Sequence, residues 1–458
     1  MSIFRFLLIY THCTKPTTFS WMSTPVAKRL KTTALPSFAN NVNPTKSKPQ
    51  IVVIAGPTAI GKSSLAYKLA SSPTSRHIIS VDSVQAYKHV QIGSNKPSPS
   101  DLLRTPQHLI SVVDPDEKYT AADFRNNAIA TISQIEQSEP DQERILVVGG
   151  TMMYIDWLLK GTPDAPKTSD EAISRATEML AKFQQNDEKD WPGAVEFVVT
   201  KFKADKSVVD RVGILASNDW YRLRRILEIK LCASETDSDD NLFTNQRKGA
   251  LKELGYDVRC FFLCPTDRKT HCHVVDERCE DMLIEGLIGE CCDLVLEGKI
   301  NEEGQVGKAI GYRQVLSYLR REKGEGEVDG EGEGKEGDFE RFGEMLNEFC
   351  GVTRRYAKKQ MAWFRKEEEF YFVPVGDRGG EEEGPLETIE RLCAADRETY
   401  EREVATKGGE WKKNNEEQSK EMRTYVSRAV KLVKGSEALA KVLEEANGRI
   451  KKIRSKGG

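Results

Sequence analysis

The sequence predicts an α/β fold in which a parallel β-sheet is flanked by helices. Three short apolar runs, at residues 51–55, 78–81 and 145–148, alternate with longer segments of mixed polarity. Such alternation is typical of parallel strands that are connected by helices. Each run is too short for an independent helix, and the first one leads directly into a glycine-rich turn. Together these observations predict the buried strands of a parallel sheet.

Length and composition set the broad class of the protein. A chain of 458 residues can bury a substantial core, and we expect roughly two or three domains. The ten cysteines show no framework of close, even spacings, which indicates reduced thiols in an intracellular compartment rather than disulfides. The formal net charge is −3, so any nucleic-acid site must come from a local basic patch.

The amino-terminal segment differs in composition from the rest of the chain. The first 50 residues contain seven Lys or Arg and no Asp or Glu, and they begin with an apolar stretch. This composition is typical of a mitochondrial transit peptide, so residues 1–49 are expected to be a transit peptide or a disordered extension. Met22 begins another basic stretch and would give a shorter cytosolic or nuclear product. No later run is apolar over the length that crosses a bilayer, and we expect no membrane association.

The first apolar run ends in a phosphate-binding motif. Gly56–Ser63 reads G-x-x-x-x-G-K-S and precedes a helical segment at 64–70. In such a turn the backbone amides curl around an anion, and the helix N-terminus adds its dipole. Lys62 offers a positive charge, and the hydroxyl of Ser63 can hold Mg. The motif predicts a P-loop NTPase-like core that binds a di- or triphosphate, although it does not show that the ligand is ATP.

The other two apolar runs end in residues that suit the same site. The second run ends at Asp82, which in P-loop enzymes either helps to hold Mg or acts as a general base facing the phosphate. A surface carboxylate that simply closes the strand is the structural alternative. The third run ends in the turn Gly149–Thr151, whose small residues allow the backbone and a hydroxyl to approach a ligand closely.

The remainder of the chain is mostly helical in pattern. Helical periodicity dominates residues 170–235 and 267–297. The Gly/Glu-rich stretch 323–338 predicts a disordered acidic loop. Residues 339–370 return to a helical pattern, and beyond Gly376 the chain is charged and poor in apolar residues.

The strongest basic patch lies in the last of these helical segments. Arg354 and Lys358 are four residues apart, as are Arg355 and Lys359, so on a helix they form two adjacent rows. These rows could lie along RNA phosphates, with the aromatic pair 363–364 packed inward. A solvated helix face is the structural alternative.

The motifs taken together carry a resemblance to a known family. The matching stretches are GPTAIGKSS (56–64), DSVQAYKHVQIGSNKP (82–97), HLISVVDPDEKYTAADF (108–124), VGGTMMYIDWLLKG (148–161), NDWYRLRRILEI (218–229), DERCEDMLIEGLIGE (276–290), KAIGYRQ (308–314) and TRRYAKKQMAWFRK (353–366). In this order they resemble the tRNA dimethylallyltransferases, also called tRNA isopentenyltransferases, over residues 50–375.

The resemblance implies a donor, an acceptor and a set of site residues. The donor is dimethylallyl diphosphate with Mg at Ser63, and the acceptor is the anticodon stem-loop of tRNA. The implied catalytic residues are Thr58, Asp82 as the base, and Arg278, which neutralises the departing diphosphate. The implied diphosphate-binding residues are Gly56, Pro57, Thr58, Ala59, Ile60, Gly61, Lys62 and Ser63. The expected tRNA-binding residues are Asp82, Ser83, Val84, Gln85, Thr151, Arg222, Arg225, Lys308, Gly311, Tyr312, Arg313, Arg354, Arg355, Lys358 and Lys359.

The resemblance also implies a domain organisation. Residues 50–164 and 216–375 form the two parts of the catalytic core, and the helical insertion 165–215 clamps the anticodon arm. The tail 376–458 has no expected role. Family members from organisms with nuclei often carry a two-Cys, two-His zinc finger there, but this chain has no His after His273 and only Cys393 after Cys350. We therefore expect no zinc finger, and we expect a monomer.

Three other functions stay open from the sequence. An adenylate isopentenyltransferase, which prenylates free nucleotides, would share the P-loop and its neighbours. A nucleotide kinase or NTPase would share the phosphate motif alone. An RNA-binding protein with a relic P-loop is the non-enzymatic possibility, against which the intact Lys62, Ser63 and Asp82 speak.

Overall fold

A computed structural model describes most of the chain beyond its amino-terminal segment. The described residues are 48–72, 75–163, 168–184, 189–234, 247–320, 333–376, 383–406, 410–412, 425, 427 and 429–457. The predicted transit segment 1–49 lies outside them except for its last two residues. Among these described residues, no helix is long and apolar enough to span a membrane.

A parallel sheet forms the centre of the structure. Within the described residues it contains six strands, β1 (Gln50–Ala55), β2 (Ile78–Val81), β3 (Gln107–His108), β4 (Arg144–Gly149), β7 (Val258–Pro265) and β8 (Phe370–Val375). Their order is β3-β2-β4-β1-β7-β8, and every neighbouring pair is parallel. The predicted α/β fold class and the three predicted strands are confirmed. Because the carboxyl ends of β1, β2 and β4 meet at one edge, the turns that follow them lie side by side.

Besides the two-residue strand β3, two strands of this sheet were not predicted. β7 is buried along its whole length, but its sequence VRCFFLCP contains Arg259 and two cysteines, which interrupt the apolar pattern. Arg259 is nevertheless buried, because its guanidinium donates to Asp257 at 3.0 Å and to the carbonyl of Ala395 at 3.2 Å. β8 begins at Phe370, the last residue of the segment 339–370 for which a helical pattern was predicted.

Helices cover both faces of the sheet. They include α1 (Lys62–Leu69), α2 (Pro99–Arg104), α3 (Ala121–Ser138), α4 (Met152–Lys160), α9 (Arg268–Ile284), α10 (Leu287–Leu296), α11 (Tyr312–Arg320) and α12 (Glu333–Phe364). Alternate residues of β1 point to opposite faces, as the period of a strand requires. Val52 and Ile54 join an apolar cluster with α1, and Ile51 and Val53 join the larger cluster that includes α3, α4 and α9–α12.

A group of helices between β4 and β7 has an apolar cluster of its own. These helices are α5 (Asp170–Ala181), α6 (Trp191–Lys201), α7 (Lys206–Gly213) and α8 (Trp220–Ser234). Side chains cap the amino ends of the first three, since Ser169, Asp190 and Asp205 each accept from a backbone N–H of the first turn, which stabilises a helix start. The short strands β5 (Thr162–Pro163) and β6 (Arg247–Lys248) pair antiparallel with each other.

The long helix α12 differs from its prediction at both ends. It begins at Glu333, so the last six residues of the predicted loop 323–338 are helical; the others, 323–332, lie outside the described residues. Asp338 accepts from Arg341 and from Asn447, which holds the first turns of the helix to the carboxyl-terminal region. The helix ends at Phe364, and Phe370 already belongs to β8.

The segment beyond 376 packs against the core. Its helices are α13 (Pro385–Ala394), α14 (Arg397–Ala405) and α15 (Glu437–Gly457). Ile389 and Tyr400 are buried in the cluster with α1, and Leu439 and Val442 are buried in the larger cluster. The few apolar residues of this charged segment are thus spaced so that one helix face is apolar.

Candidate donor and acceptor cavities

Two adjoining cavities open at the carboxyl ends of β1, β2 and β4. The polar cavity has a volume of about 210 Å³, and the apolar cavity has a volume of about 450 Å³. Residues that line both are Thr58, Asp82, Ser94, Arg278 and Tyr356. The polar cavity is otherwise lined by Ala59, Ile60, Gly61, Lys62, Ser63, Ser64, Ser80, Gln85, Asn95, Val148, Gly149, Gly150 and Gln360. The apolar cavity is otherwise lined by Ser83, Val84, Gly93, Thr151, Cys279, Met282, Gln305, Lys308, Ala309, Ile310, Phe349 and Thr353.

The P-loop forms the floor of the polar cavity. Gly61 has a φ of 89°, a left-handed conformation that glycine adopts without strain, and α1 begins at the next residue. The ammonium of Lys62 donates to the carbonyls of Gly56 at 3.0 Å and Pro57 at 2.8 Å. Burial, and secondly the positive charge of Arg278, lower the pKa of Lys62 to about 7, although Asp82 opposes this. Backbone amides, a helix N-terminus and a cation therefore face one small space.

Asp82 is fixed by the turn that follows β2. Its Oδ1 accepts from the backbone N–H of Val84 at 2.8 Å and of Gln85 at 3.2 Å. The side chain of Gln85 is held in turn, because it accepts from Ser80 at 2.7 Å and donates to the carbonyls of Ser94 and Asn95, each at 3.1 Å. The carboxylate of Asp82 thus has a fixed position at the junction of the two cavities.

Thr151 connects the turns after β2 and β4. Its hydroxyl accepts from the backbone N–H of Ser83 at 3.1 Å, and the residue lines the apolar cavity together with Tyr356 of α12. Burial, and secondly the charge of Asp82, raise the pKa of Tyr356, so this phenol stays protonated. Ser83, Val84 and Thr151, which the resemblance assigns to RNA, all line the apolar cavity.

Arg278 brings a second cation to the junction. The residue lies on α9, and its buried Nε has no hydrogen-bond partner within the described part of the chain. Burial lowers the pKa of Arg278, and the charge of Asp82 opposes this. Buried cations are normally paired, so an unpartnered guanidinium nitrogen next to Lys62 indicates that the site takes an anion.

The residues expected from the stretch 308–313 have different surroundings. Lys308 is exposed and lines the apolar cavity, and Arg313 is exposed on α11. Tyr312, in contrast, is fully buried and donates to Glu290 at 2.5 Å. Gly311, the residue before it in the chain, is also buried. In this structure Tyr312 and Gly311 support the wall of the cavity from behind rather than face it.

The basic residues of α12 also divide into two groups. Arg354 points to α9 and pairs with the buried carboxylate of Asp276. Arg355, Lys358 and Lys359 are exposed. Only the exposed three are free to meet an RNA phosphate without breaking a pair seen in the described residues.

The two arginines of α8 that were expected to bind tRNA, Arg222 and Arg225, lie in the helical group rather than at the cavities. Arg222 is exposed and pairs with Asp219 at 3.0 Å. Arg225 is half-buried, with Thr168 at 2.6 Å and Glu228 at 3.0 Å as partners.

Sequence reasoning missed several residues that line the cavities. Tyr356 and Gln360 of α12 lie four residues apart and face the site, whereas Lys358 and Lys359 are exposed. The polar residues in TRRYAKKQMAWFRK that are not basic were the available signal, since the i, i+4 spacing puts 356 and 360 on one face. Ser94, Met282 and Phe349 carried no comparable signal.

The oxygen donors of the polar cavity are compatible with Mg. The hydroxyl of Ser63 and the carboxylate of Asp82 both line this cavity. Mg prefers oxygen ligands and commonly uses one or two protein groups together with phosphate oxygens. No cluster of three or more His, Cys, Asp or Glu that could hold a metal by itself occurs in the described ranges, so Mg here would need the oxygens of a bound diphosphate.

Known proteins are similar to this chain over most of its length. The IPP transferase family model matches residues 85–367. The chain is 35% identical over 359 residues to tRNA dimethylallyltransferase 9 of Arabidopsis thaliana, covering 73% of each protein. It is 34% identical over 328 residues to tRNA dimethylallyltransferase 1 of Citrifermentans bemidjiense, covering 72% of this chain and 93% of the relative.

The fold is similar to that of a solved relative. A crystallographic structure of a eukaryotic dimethylallyltransferase acting on tRNA aligns with a TM-score of 0.56 and 21% identity, over 79% of this chain and 85% of that one. At this identity the likeness concerns the fold. The match of the family model and the curated relatives shows that the chain belongs to the IPP transferase family, the tRNA dimethylallyltransferases.

Proposed function

We propose that this enzyme transfers a dimethylallyl group from dimethylallyl diphosphate to the exocyclic amine of the adenosine 3′-adjacent to the anticodon in tRNA, with release of diphosphate. The observation that carries the proposal is the pair of adjoining cavities. One has a phosphate-binding floor and two cations, the other is largely apolar, and Asp82 and Arg278 stand at their junction.

The cations act on the leaving group. The reaction breaks the allylic carbon–oxygen bond, and negative charge grows on the diphosphate oxygens as it does so. Lys62 and Arg278 both line the polar cavity and would face these oxygens in a partly desolvated site, where such charges stabilise a transition state strongly. Thr58 faces both cavities, and its hydroxyl would donate a hydrogen bond to the departing oxygen.

Asp82 acts on the nucleophile. An aromatic amine attacks poorly, and positive charge develops on its nitrogen while the new carbon–nitrogen bond forms. A carboxylate within reach accepts the amine proton. Asp82 suits this role because its backbone hydrogen bonds occupy Oδ1 and orient the carboxylate between donor and acceptor.

Mg would be held by Ser63 and the bound diphosphate. It would neutralise part of the diphosphate charge and so favour both binding and departure of the leaving group. Ser63 follows Lys62 at the start of α1, and it is exposed to the polar cavity.

The tRNA would approach from the apolar cavity. The target adenine must leave the anticodon stack to reach Asp82, and Ser83, Val84 and Thr151 line the space that would receive it. The exposed Arg355, Lys358 and Lys359 of α12, together with Arg222 and Lys308, would contact phosphates. The predicted insertion 165–215 would hold the anticodon arm, and the protein would act as a monomer.

Labelled substrates test the proposal directly. The purified chain is incubated with labelled dimethylallyl diphosphate and either an anticodon stem-loop or AMP. We expect label in the stem-loop only. Label in AMP alone would instead identify an adenylate isopentenyltransferase. A rise in Tm with ATP and Mg, but not with dimethylallyl diphosphate and Mg, would indicate a nucleotide kinase or NTPase. Tight stem-loop binding without any turnover would indicate a relic P-loop.

A further inference from the structure

Side chains from distant parts of the chain hold the backbone of Thr58 on both sides. The N–H of Thr58 donates to Oε1 of Gln360 on α12 at 3.0 Å. The carbonyl of Thr58 lies 3.0 Å from Nε2 of His271 on α9. Both side chains are buried, Gln360 with 2% and His271 with 4% of its surface exposed. Burial lowers the pKa of His271 to about 4, so its ring is neutral and Nε2 carries the proton that it donates.

Gln360 makes a second bond that joins the P-loop to the turn after β4. Its Nε2 donates to the carbonyl of Gly150 at 2.9 Å. A Cβ on residue 150 would lie 2.3 Å from this nitrogen, so a glycine is needed where the amide passes. One side chain therefore uses an acceptor and a donor to fix the two turns that form the floor and wall of the polar cavity.

The face of α12 that carries Gln360 also reaches the apolar cavity. Tyr356 lies one turn before Gln360 and lines the apolar cavity together with Thr151, whose hydroxyl holds the backbone of Ser83. Successive residues on one face of α12 thus contact the acceptor side through Tyr356 and the donor side through Gln360. The direction of a side chain follows from its backbone conformation, so fixing both peptide groups of Thr58 also fixes where its hydroxyl points.

We propose that Gln360 and His271 are positioning residues that hold the P-loop at Thr58, so that the Thr58 hydroxyl and the neighbouring amides meet the donor in a reactive geometry. This proposal rests on the proposed transferase function. Neither residue is a catalytic residue itself, since each acts through Thr58. A small displacement of a reacting group lowers the rate more than it lowers affinity.

Matched glutamine variants separate positioning from ordinary stability. Gln360→Met removes both hydrogen bonds at similar volume. The control is Gln142→Met, which removes another buried glutamine, 7% exposed, whose amide bonds to Arg76 and Glu139 at the opposite end of the sheet. We expect both variants to lower Tm. Only Gln360→Met should lower the single-turnover rate at saturating donor, by at least about tenfold, with stem-loop affinity unchanged.

Conservative replacements should rescue the rate where the hydrogen bond is kept. His271→Gln retains a donor nitrogen for the Thr58 carbonyl, and His271→Leu does not, so His271→Gln should be the faster of the two. Gln360→Glu can accept from Thr58 but donates to Gly150 only when protonated. Its rate relative to wild type should therefore rise as pH falls from 8 to 6. The other ionisable groups near this position, Lys62, Asp82, Arg278 and His271, are the same in both proteins, so the ratio isolates residue 360.

Hydrogen exchange gives a measurement that does not depend on turnover. Gln360→Met and His271→Leu should speed exchange in the peptide that covers residues 56–63, and Gln142→Met should not. Unchanged exchange there, or an equal loss of rate in the glutamine control, overturns the positioning role. A wild-type enzyme that fails to label the stem-loop refutes the transferase function instead, and the exchange result still decides whether the P-loop is held.

Discussion

At the scale of single residues, Lys62 connects the electrostatics of the polar cavity to pH. Burial and the charge of Arg278 lower its pKa to about 7, so at pH 8 most Lys62 is neutral before the donor binds. A bound diphosphate favours the charged form and raises the pKa. We therefore expect diphosphate binding to take up a proton at pH 8, and donor affinity to fall as pH rises above about 7.

Calorimetry measures this proton directly. Inorganic diphosphate is titrated at pH 8 in buffers of different ionisation enthalpy, for the wild type and for Lys62→Arg. Arginine stays charged at any such pH. When diphosphate binds, the variant should therefore take up fewer protons than the wild type, and the difference should be a substantial fraction of one proton. Equal uptake in the two proteins would contradict the lowered pKa.

Asp82 provides the sharpest test of the chemistry. Asp82→Asn keeps an oxygen that accepts from the N–H groups of Val84 and Gln85, so the turn should persist. It removes the proton acceptor, and turnover should fall by roughly a hundredfold or more while stem-loop affinity changes little. If Asp82 serves only to hold Mg, donor binding should weaken and high Mg should restore it. Single-turnover prenylation over a range of donor and Mg concentrations distinguishes the two results.

The predicted site residues that the structure brings to the polar cavity are those whose place depends on local backbone. Lys62 and Ser63 belong to one turn, and Asp82 directly follows a strand, so short motifs were enough to predict where they lie. Gln360 and His271 act on Thr58 from 302 and 213 residues away. Only the packing of α9 and α12 on the sheet brings them to the P-loop, and no local pattern carries that information.

At the scale of elements, α12 has one face for the fold and another for solvent. Arg354 is paired with Asp276, which is buried, whereas Lys358 and Lys359 are exposed. Arg354→Ala should lower the free energy of unfolding by on the order of 3 kcal/mol, because it leaves a buried carboxylate without its cation. Lys358→Ala and Lys359→Ala should leave Tm unchanged, and each should reduce the salt dependence of stem-loop binding by about one phosphate contact.

Thermal unfolding and binding over a salt series check these outcomes together. A lower Tm in Lys358→Ala, or an unchanged salt slope in both lysine variants, would count against the division of the helix. The helix pattern predicted two basic rows along α12. It did not predict that Arg354 turns inward, because its partner Asp276 lies on another helix.

The ends of elements were harder to predict than their existence. The sequence predicted a helix through Phe370, although α12 ends at Phe364. Over a short stretch, an apolar pattern of aromatic residues fits either a helix or a strand. Pairing with β7 decides in favour of the strand, since Phe370–Val375 lies in register with Cys260–Pro265. The start of α12 within a Gly/Glu-rich stretch likewise depends on Asp338, Arg341 and Asn447, which come together only in the folded protein.

At the scale of the whole molecule, the carboxyl-terminal region is bound to the helix that carries Arg278. Glu280 of α9 is 1% exposed, and its carboxylate accepts from the backbone N–H groups of Val430, Lys431 and Leu432 at 2.6–3.2 Å. A neutral amide accepts such bonds more weakly. Glu280→Gln should therefore lower the free energy of unfolding by about 1–3 kcal/mol.

An exposed glutamate supplies the control for this prediction. Glu437 lies on α15 and forms a surface pair with Lys441, and exposed pairs contribute little. Glu437→Gln should leave Tm unchanged in thermal unfolding. A Glu280→Gln protein as stable as this control would show that the carboxyl-terminal region is held by its apolar contacts alone. The sequence indicated only a charged tail here, because the partners of Glu280 are backbone groups.

The amino-terminal segment supports a prediction about localisation. Its basic, acid-free composition is typical of a targeting segment. The first strand of the sheet begins only at Gln50, so the segment should not be needed for catalysis. Removal of residues 1–21 should abolish mitochondrial import and leave prenyl transfer intact, with the shortened protein in the cytosol or nucleus. Fractionation of cells that express each form measures this, and a truncated protein still in mitochondria would contradict it.

The strand order has a consequence for biosynthesis. β1 is made first but lies in the middle of the sheet, between β4 and β7, and β7 follows it by about 200 residues. A ribosome that adds about 5–20 residues per second needs roughly 10–40 s to supply this second neighbour. During that interval an apolar strand has an unpaired backbone edge, which favours aggregation. The nascent chain should therefore depend on chaperones until most of it has been translated.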